Sequence, residues 1–471
     1  MLKGLEIVEK KLSYAQNNKD YRLDSGFYTS EIKQNENLTY RKIGDCLKKS
    51  QYGISINMNN EGQGYPIYRM NEIHNMFCDF EVDKFANISR LEAEIFKLND
   101  GDVLFNRTNS YEWVGRTGIF RKTKKQDFVF ASYLVRFIPD EKIILPEYLV
   151  TYLNSKYGIK DIRRRARQSI NQTNVNPEEV KEMFIPLLSE GLQNIIKKSF
   201  DEAFDKNVSS QNLYIKAEDL LLEELGLRDF QPSEQGINIK SLKDSFLSTG
   251  RLDAEYYQPK YDDYLELIQN YSQGFKPLKK VCNLRDENFE PLSDEVYNYI
   301  ELSNIGKSGD ITGATEDIGS ELPTRARRIV NTDDVIVSSI EGSLSSCALV
   351  TEDYDNALCS TGFYVINSRE INSETLLVLF KSEPMQNILK QGCSGTILTA
   401  INKQEFQNIP VPLIEKEVQK TIQSLIQQSF AFKAQSEQLL EDAKKLVEMA
   451  IEQGEEKALT NYELGLLEDN L

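Results

Sequence analysis

The sequence predicts an α+β protein: two tandem, pseudo-symmetric mixed α/β domains joined by two long helices in an antiparallel coiled coil. Three observations predict it. The phrase RLDSGFY (22–28) returns as RLDAEYY (251–257). Five more segment pairs repeat in the same order at nearly one spacing. Each copy then closes with a long, proline-free heptad run. A length of 471 residues also exceeds what one ordinary core serves.

The paired segments define the repeat. GLEIVEKKLSY (4–14) lies over GINIKSLKDSF (236–246), and YPIYRMNEI (65–73) over YNYIELSNI (297–305). DGDVLFNR (100–107) lies over TDDVIVSS (332–339), and ASYLVRF (131–137) over STGFYVI (360–366). VNPEEVKEMFIPL (175–187) lies over INKQEFQNIPVPL (401–413). The offset drifts only from 232 (4 to 236) to 226 (175 to 401), so insertions are short. The boundaries that follow are a first mixed domain at 1–188, a first helix at 189–228, a second mixed domain at 229–413, a second helix at 414–456 and a tail at 457–471.

Within each copy, DGDVLFNR and DDVIVSSI read as a turn and a buried strand, and SYLVRFIP and GFYVINS as a second strand. LPEYLVTYLNS and NSETLLVLFKS read as short amphipathic helices, the latter capped by Asn372 or Ser373. The prolines of IPL and IPVPL hold an extended segment before the long helix. In the second helix Val418, Ile422, Leu425, Ser429, Phe432, Ser436, Leu439, Ala443, Leu446 and Ala450 alternate four and three apart. The first offers Leu192, Ile196, Ser199, Ala203, Lys206, Ser210, Leu213, Ala217, Leu220 and Glu224. Small residues at matching positions favour close approach in one antiparallel pair. Packing of each helix on its own domain alone is the competing arrangement. About 36 residues at 1.5 Å each give a rod of about 54 Å.

Composition narrows the function. With 56 basic and 73 acidic residues the net charge is −17, which argues against indiscriminate nucleic-acid binding. One histidine, His74, leaves no basis for a histidine metal site or a Ser–His–Asp triad. Cys46, Cys78, Cys282, Cys347, Cys359 and Cys393 stand far apart, as free thiols of a reducing cytoplasm do. No apolar run reaches the ~20 residues of a membrane span, and MLKGLEIVEKKLSY has no secretory signal pattern. NIGKS (304–308) has Glu301 where a phosphate loop needs glycine, and no G-x-G-x-x-G follows a strand. PDEK (139–142) lacks the acidic partner a nuclease centre requires, and no Asn- or Asp-Pro-Pro-aromatic motif of an amino-methyltransferase occurs. The expectation is a chain without catalytic apparatus or cofactor of its own.

Basic residues cluster locally. DIRRRARQSINQTN (161–174) holds Arg163, Arg164, Arg165 and Arg167, followed by Gln168. FNRTNSYEWVGRTGIFRKTKK (105–125) holds Arg107, Asn109, Arg116, Lys122, Lys124 and Lys125 with the single tryptophan. Guanidinium groups suit phosphates and guanine edges, and amides suit adenine. Copy two differs: its cluster, LPTRARRIV (322–330), supplies Arg325, Arg327 and Arg328, while QGCSGTILTAINKQ (391–404) is nearly uncharged. The frame repeats while the loop chemistry diverges, as in two modules facing different ligands of one class. Solvated helix faces are the alternative for these runs.

The duplicated openings YRLDSGFY and GRLDAEYYQPKY, the strands GDVLFNR and DDVIVSS, and the closings before each long helix make the chain resemble the DNA specificity subunit of Type I restriction–modification systems. The resemblance spans nearly the whole chain. It implies two target recognition domains, each reading one half of a split double-stranded DNA site across an antiparallel spacer. It implies docking of two DNA methyltransferase subunits, which carry S-adenosylmethionine and flip the target adenine, and of a restriction endonuclease/translocase subunit in complexes that cleave. It implies a non-catalytic, cytoplasmic subunit that touches no membrane. In copy two it adds Ser338, Ser339, Thr396 and Lys403 to the DNA-facing set. Family members end this loop with a Gly-Ser/Thr run; copy two has CSGTIL (393–398) and copy one has ARQSINQ instead. A non-catalytic protein-interaction scaffold, two domains on a coiled-coil rod, is the alternative function.

Overall fold

The computed structural model describes residues 8–16, 21–170, 172–395 and 399–465; Thr396 lies outside them. The chain divides into two compact units that do not coincide with the sequence repeats. Unit 1 joins 1–206 to 434–471, and unit 2 is 207–433.

In unit 1 the alternating and continuous apolar runs become a six-stranded sheet. Its order is Leu47–Tyr52, Leu134–Pro139, Val103–Asn106, Thr117–Ile119, Phe77–Cys78, Ile73–His74. The strand of DGDVLFNR is Val103–Asn106, buried at every position, and pairs antiparallel with Leu134–Pro139. A three-stranded sheet (Val129–Phe130, Tyr65–Tyr68, Phe85–Ala86) stands beside it. The helix of LPEYLVTYLNS is Pro146–Asn154, with proline at its first turn, where a missing N–H costs nothing. A second helix, Lys156–Arg165, follows at once, started by the Ser155 side chain accepting from Gly158 N.

Unit 2 repeats the plan with fewer strands. One sheet has the order Cys282–Arg285, Phe363–Ser368, Val335–Ser338, Cys347–Leu349. The other runs Thr315–Ile318, Val296–Ile300, Leu358–Ser360, Ala326–Ile329. Helix Ser373–Lys381 is capped by Asn372, whose side chain accepts from Thr375 N, and Glu383–Gly392 follows.

The repeated phrase is a tether. Arg22 donates from Nη1 to the carbonyl of Arg165 at 3.0 Å, at the end of helix Lys156–Arg165, while pairing with Asp24. Tyr28 donates its hydroxyl to Arg22 O. Arg251 does the same in unit 2. It donates from Nη2 to Cys393 O at 2.7 Å, pairs with Asp253, and has its own carbonyl held by the Tyr257 hydroxyl at 3.0 Å. A cation on the terminal carbonyls of a helix satisfies acceptors that the helix leaves open and suits its dipole. The guanidinium in each pair holds the Asp24 and Asp253 carboxyls below the usual aspartate range.

The long helices span Glu190–Glu224 and Lys416–Gln453, and each is unbroken. In unit 1, Ser436 Oγ donates to Ala203 O at 2.7 Å, and Ser189 N donates to Glu455 at 3.0 Å. Partners thus fall on one helix as they rise on the other, so the pair is antiparallel. In unit 2, Ser429 Oγ donates to Ser210 O at 2.8 Å, and the two hydroxyls lie 3.1 Å apart. Leu192, Ile196, Phe200 and Ala203 share one core with Leu440, Ala443, Leu446, Val447 and Ala450. Tyr214, Ala217 and Leu221 share another with Ile422 and Ile426.

The predicted seam positions Leu192, Ile196, Ala203, Ser210, Ala217, Ile422, Ser429, Ser436, Ala443, Leu446 and Ala450 are buried, and the buried stripe extends beyond them. Leu213, Leu220, Val418, Leu425 and Leu439 are only half-buried, while Tyr214, Leu221, Ile426 and Leu440 are buried. Each helix covers its partner and its own domain together, so its apolar stripe is wider than a two-position coiled-coil seam. Glutamines that the pattern did not mark lock each helix start. Gln193 donates to Leu188 O and accepts from Leu145 N, and Gln419 donates to Ile414 O and accepts from Asn372 N.

All six cysteines are free and buried. Burial pushes the Cys282 and Cys359 thiols up to about 12. Because the thiolate is the reactive form, alkylation at pH 8 is expected to be slow in the native chain and complete after unfolding; mass spectrometry of native and denatured samples reads the difference. At the seam, Ser429→Leu is expected to cost about 1–3 kcal/mol by overpacking. Ser429→Ala is expected to cost about 1 kcal/mol for the lost hydrogen bond. Urea midpoints at unchanged slope check the order.

Candidate nucleic-acid interface

In unit 1 three segments meet on one face. Thr108–Asn109 pairs with Gln172–Asn174, which pairs with Arg167–Ser169. Helix Lys156–Arg165 leads directly into that hairpin through Ala166. The turn at 110–115 closes on the same helix at Gly115, where φ is +88° and a Cβ would lie 2.5 Å from Ile162 Cγ2. Only glycine satisfies both the backbone angle and the approach.

The structure sorts the arginine run. Arg164 donates to Asp161 at 2.9 Å and to Phe27 O at 3.0 Å, with its guanidinium 4.3 Å from the Phe27 ring centre. Arg165 is buried and also pairs with Asp161, at 3.3 Å. Arg167 is exposed but pairs with Glu179 at 3.2 Å. Arg163 is exposed, lies 5.6 Å from the Tyr111 ring centre, and forms no ion pair with a carboxylate among the described residues. One arginine of the four therefore faces solvent without a counter-charge, and Gln168 is exposed on the hairpin beside it.

The loop at 105–125 divides likewise. Arg107 is half-buried, donates to Ser132 O at 3.2 Å and sits 5.4 Å over Tyr52. Asn109 is half-buried, and its oxygen accepts from Ser110 N at 2.8 Å. Arg116 lies against Trp113, 3.2 Å from the ring centre, and donates to Ile73 O at 3.4 Å. Burial lowers the Arg116 pKa to about 10, which still leaves it cationic at neutral pH. Lys122 and Lys124 are exposed but tied to Asp127 (3.1 Å) and Glu81 (2.6 Å), and Lys125 is exposed. Sequence reasoning marked the cations and Trp113 but overlooked Tyr52 and Tyr111, the rings beside Arg107 and Arg163. Tyr52, Tyr111 and Trp113 are all exposed aromatics, and Tyr52 alone has no arginine within four residues in the chain.

Unit 2 builds the same frame with other side chains. Arg107 N donates to Tyr133 O and its carbonyl accepts from Val175 N. Ser339 N donates to Gly362 O and its carbonyl accepts from Ile401 N. Arg107 and Ser339 thus occupy one position in the two copies. Ser339 Oγ is spent on Gly362 O, and Ser338 is buried against Ser343. Arg325 is exposed, Arg327 pairs with Glu290, and Arg328 donates to Phe363 O at 2.9 Å. Lys403 pairs with Asp286 at 2.6 Å.

A repeated frame with variable, cationic or hydroxyl-bearing loops defines a class of paired recognition modules, and the family model and the curated relatives agree. Residues 273–443 match the family model described as the Type I restriction modification DNA specificity domain, so the chain carries that domain in its second copy. Over 418 residues the chain is 22% identical to the type I restriction enzyme MjaX specificity subunit of Methanocaldococcus jannaschii, covering 88% of this chain and 92% of that one. Over 142 residues it is 28% identical to the EcoKI specificity subunit of Escherichia coli K12, covering 30% of each. The crystal structure of the Type I restriction–modification S subunit from M. genitalium aligns over 89% of this chain and 97% of that chain, with 15% identity and a TM-score of 0.38. No helix among the described residues is long and apolar enough to cross a membrane.

The sorting of the arginines predicts opposite outcomes for two substitutions. Arg22→Ala removes a charged tether and is expected to cost about 1.5–3 kcal/mol. Arg163→Ala is expected to stay within about 0.5 kcal/mol of the parent. Chemical denaturation of the two variants decides it.

Proposed function

We propose that the chain is a DNA sequence-recognition subunit that reads a two-part double-stranded site, one part with each unit, and leaves chemistry to its partners. The observation that carries this is the equivalence of Arg107 and Ser339. The same backbone hydrogen bonds hold both positions, yet one carries a guanidinium and the other a hydroxyl. Loops that vary on a fixed frame are how a recognition module changes its target without refolding. The family domain at 273–443 supports the same reading.

Methyltransferase subunits that carry S-adenosylmethionine are the proposed partners, with a restriction subunit joining in complexes that cleave; the chain itself is non-catalytic. Affinity capture of the full chain from its native cells, followed by mass identification of what co-purifies, tests the assembly. Methylation by the isolated chain with S-adenosylmethionine would overturn the non-catalytic part. Capture of partners that include no methyltransferase would favour the scaffold reading.

The two long helices are proposed to set the gap between the half-sites. Removing residues 204–210 together with the facing 429–435 shortens the pair by one heptad, about 10 Å. The preferred gap is expected to fall by about three base pairs at 3.4 Å each. Methylation mapping reads the gap, and an unchanged value refutes the ruler.

A further inference from the structure

We infer that Arg163, held on Tyr111, reads a guanine in the half-site of unit 1, and that unit 2 has no counterpart to this contact. The inference rests on the DNA-recognition reading above and names one specificity-determining residue within it.

Four facts converge on Arg163. Its neighbours Arg164 and Arg165 share Asp161, and Arg167 is taken by Glu179, so these three stabilise the fold. Arg163 is exposed and pairs with no carboxylate among the described residues, in a chain of net charge −17. Arg90 and Arg325 are likewise exposed without an ion pair among the described residues, so it is the ring and the amides around Arg163 that single it out. Its cation lies 5.6 Å from the Tyr111 ring centre, within cation–π range. The ring limits the orientations of the planar fork, and a pre-oriented fork suits bidentate hydrogen bonding. Finally, the surrounding surface carries amides: Asn109 on one strand, Gln168 and Gln172 on the adjoining hairpin. Amides and arginine together match adenine and guanine edges in the major groove, whereas phosphate binding needs only charge.

The equivalent position in unit 2 follows from the helix frame. Ser155 and Ser382 hold the same place before their helices, each donating Oγ to the carbonyl three residues back. Counting eight residues on from each gives Arg163 and Lys390. Lys390 pairs with Glu255 at 3.6 Å. A lysine point charge already engaged by a carboxylate cannot present a fork to a base. An arginine fork at this position is therefore confined to unit 1.

The test uses the full chain purified with its methyltransferase partners and a randomised duplex DNA pool. The parent complex is expected to enrich a two-part motif. Arg163→Lys retains the charge, so affinity for unrelated duplex DNA is expected to stay within about threefold and the salt slope to be unchanged. The same variant is expected to lose preference for one guanine, in one half only, by on the order of 10- to 100-fold. Tyr111→Ala is expected to weaken that preference with Arg163 in place, and Lys390→Ala to leave the motif intact. Retention of the guanine by Arg163→Lys overturns the inference. So does a uniform affinity loss in Arg163→Ala with a salt slope lower by about one, which marks a phosphate contact. A parent complex that enriches no two-part motif brings down the DNA-recognition reading itself, and this inference with it.

Discussion

The architecture depends on burying the apolar stripe of each long helix. Neither helix is covered by its own domain alone. Glu190–Lys206 needs Ala434–Gln453, and Asn207–Glu224 needs Lys416–Lys433. Ala203, Ser210, Ser429 and Ser436 make this possible, because side chains this small allow the backbones close enough for Oγ to reach a facing carbonyl. These hydroxyls are buried, and every one of the two donated bonds ends on a main-chain oxygen of the other helix. A larger residue would separate the helices, and a purely apolar small one would forgo the fixed register that a directional bond supplies.

This constraint explains why the compact units cut across the repeats. Each repeat ends in a helix whose first half belongs with the domain before it and whose second half belongs to the other unit. Unit 1 is completed only by residues more than two hundred positions away in the chain. Duplication supplied two copies of one frame, but the frame is closed by an exchange of helical segments. The terminal glutamines, Gln193 and Gln419, then fasten each mixed domain to the start of its helix through paired side-chain bonds.

Within that frame, arginine serves two opposed purposes. Arg22 and Arg251 are spent inward on the ends of helices, and Arg164 and Arg165 on Asp161. Arg163, one residue from these, points to solvent over an aromatic ring. Adjacent residues on a helix face lie about 100° apart around its axis, so a run of three arginines must split between interior and surface. The split leaves unit 1 with an exposed guanidinium where unit 2 has Lys390, and Ser339 stands where unit 1 has Arg107.

The doubled α+β plan, the strands at Val103–Asn106 and Val335–Ser338, the short helices after each sheet and the two long helices were legible in the sequence. They rest on local signals: repeat order, alternation, caps and heptad spacing, each a property of residues near one another in the chain. The full width of the buried helix stripe was not legible, because whether Tyr214 joins Ala217 in the core depends on what covers the far side of the helix. Nor was the fate of each cation. Lys122, Lys124, Arg167 and Lys403 look alike in sequence, and only folding brings Asp127, Glu81, Glu179 and Asp286 to them. Composition and periodicity determined which elements form and that they form twice; the tertiary structure alone decided which charges are neutralised and which remain, because that is settled by distances between residues far apart in the chain.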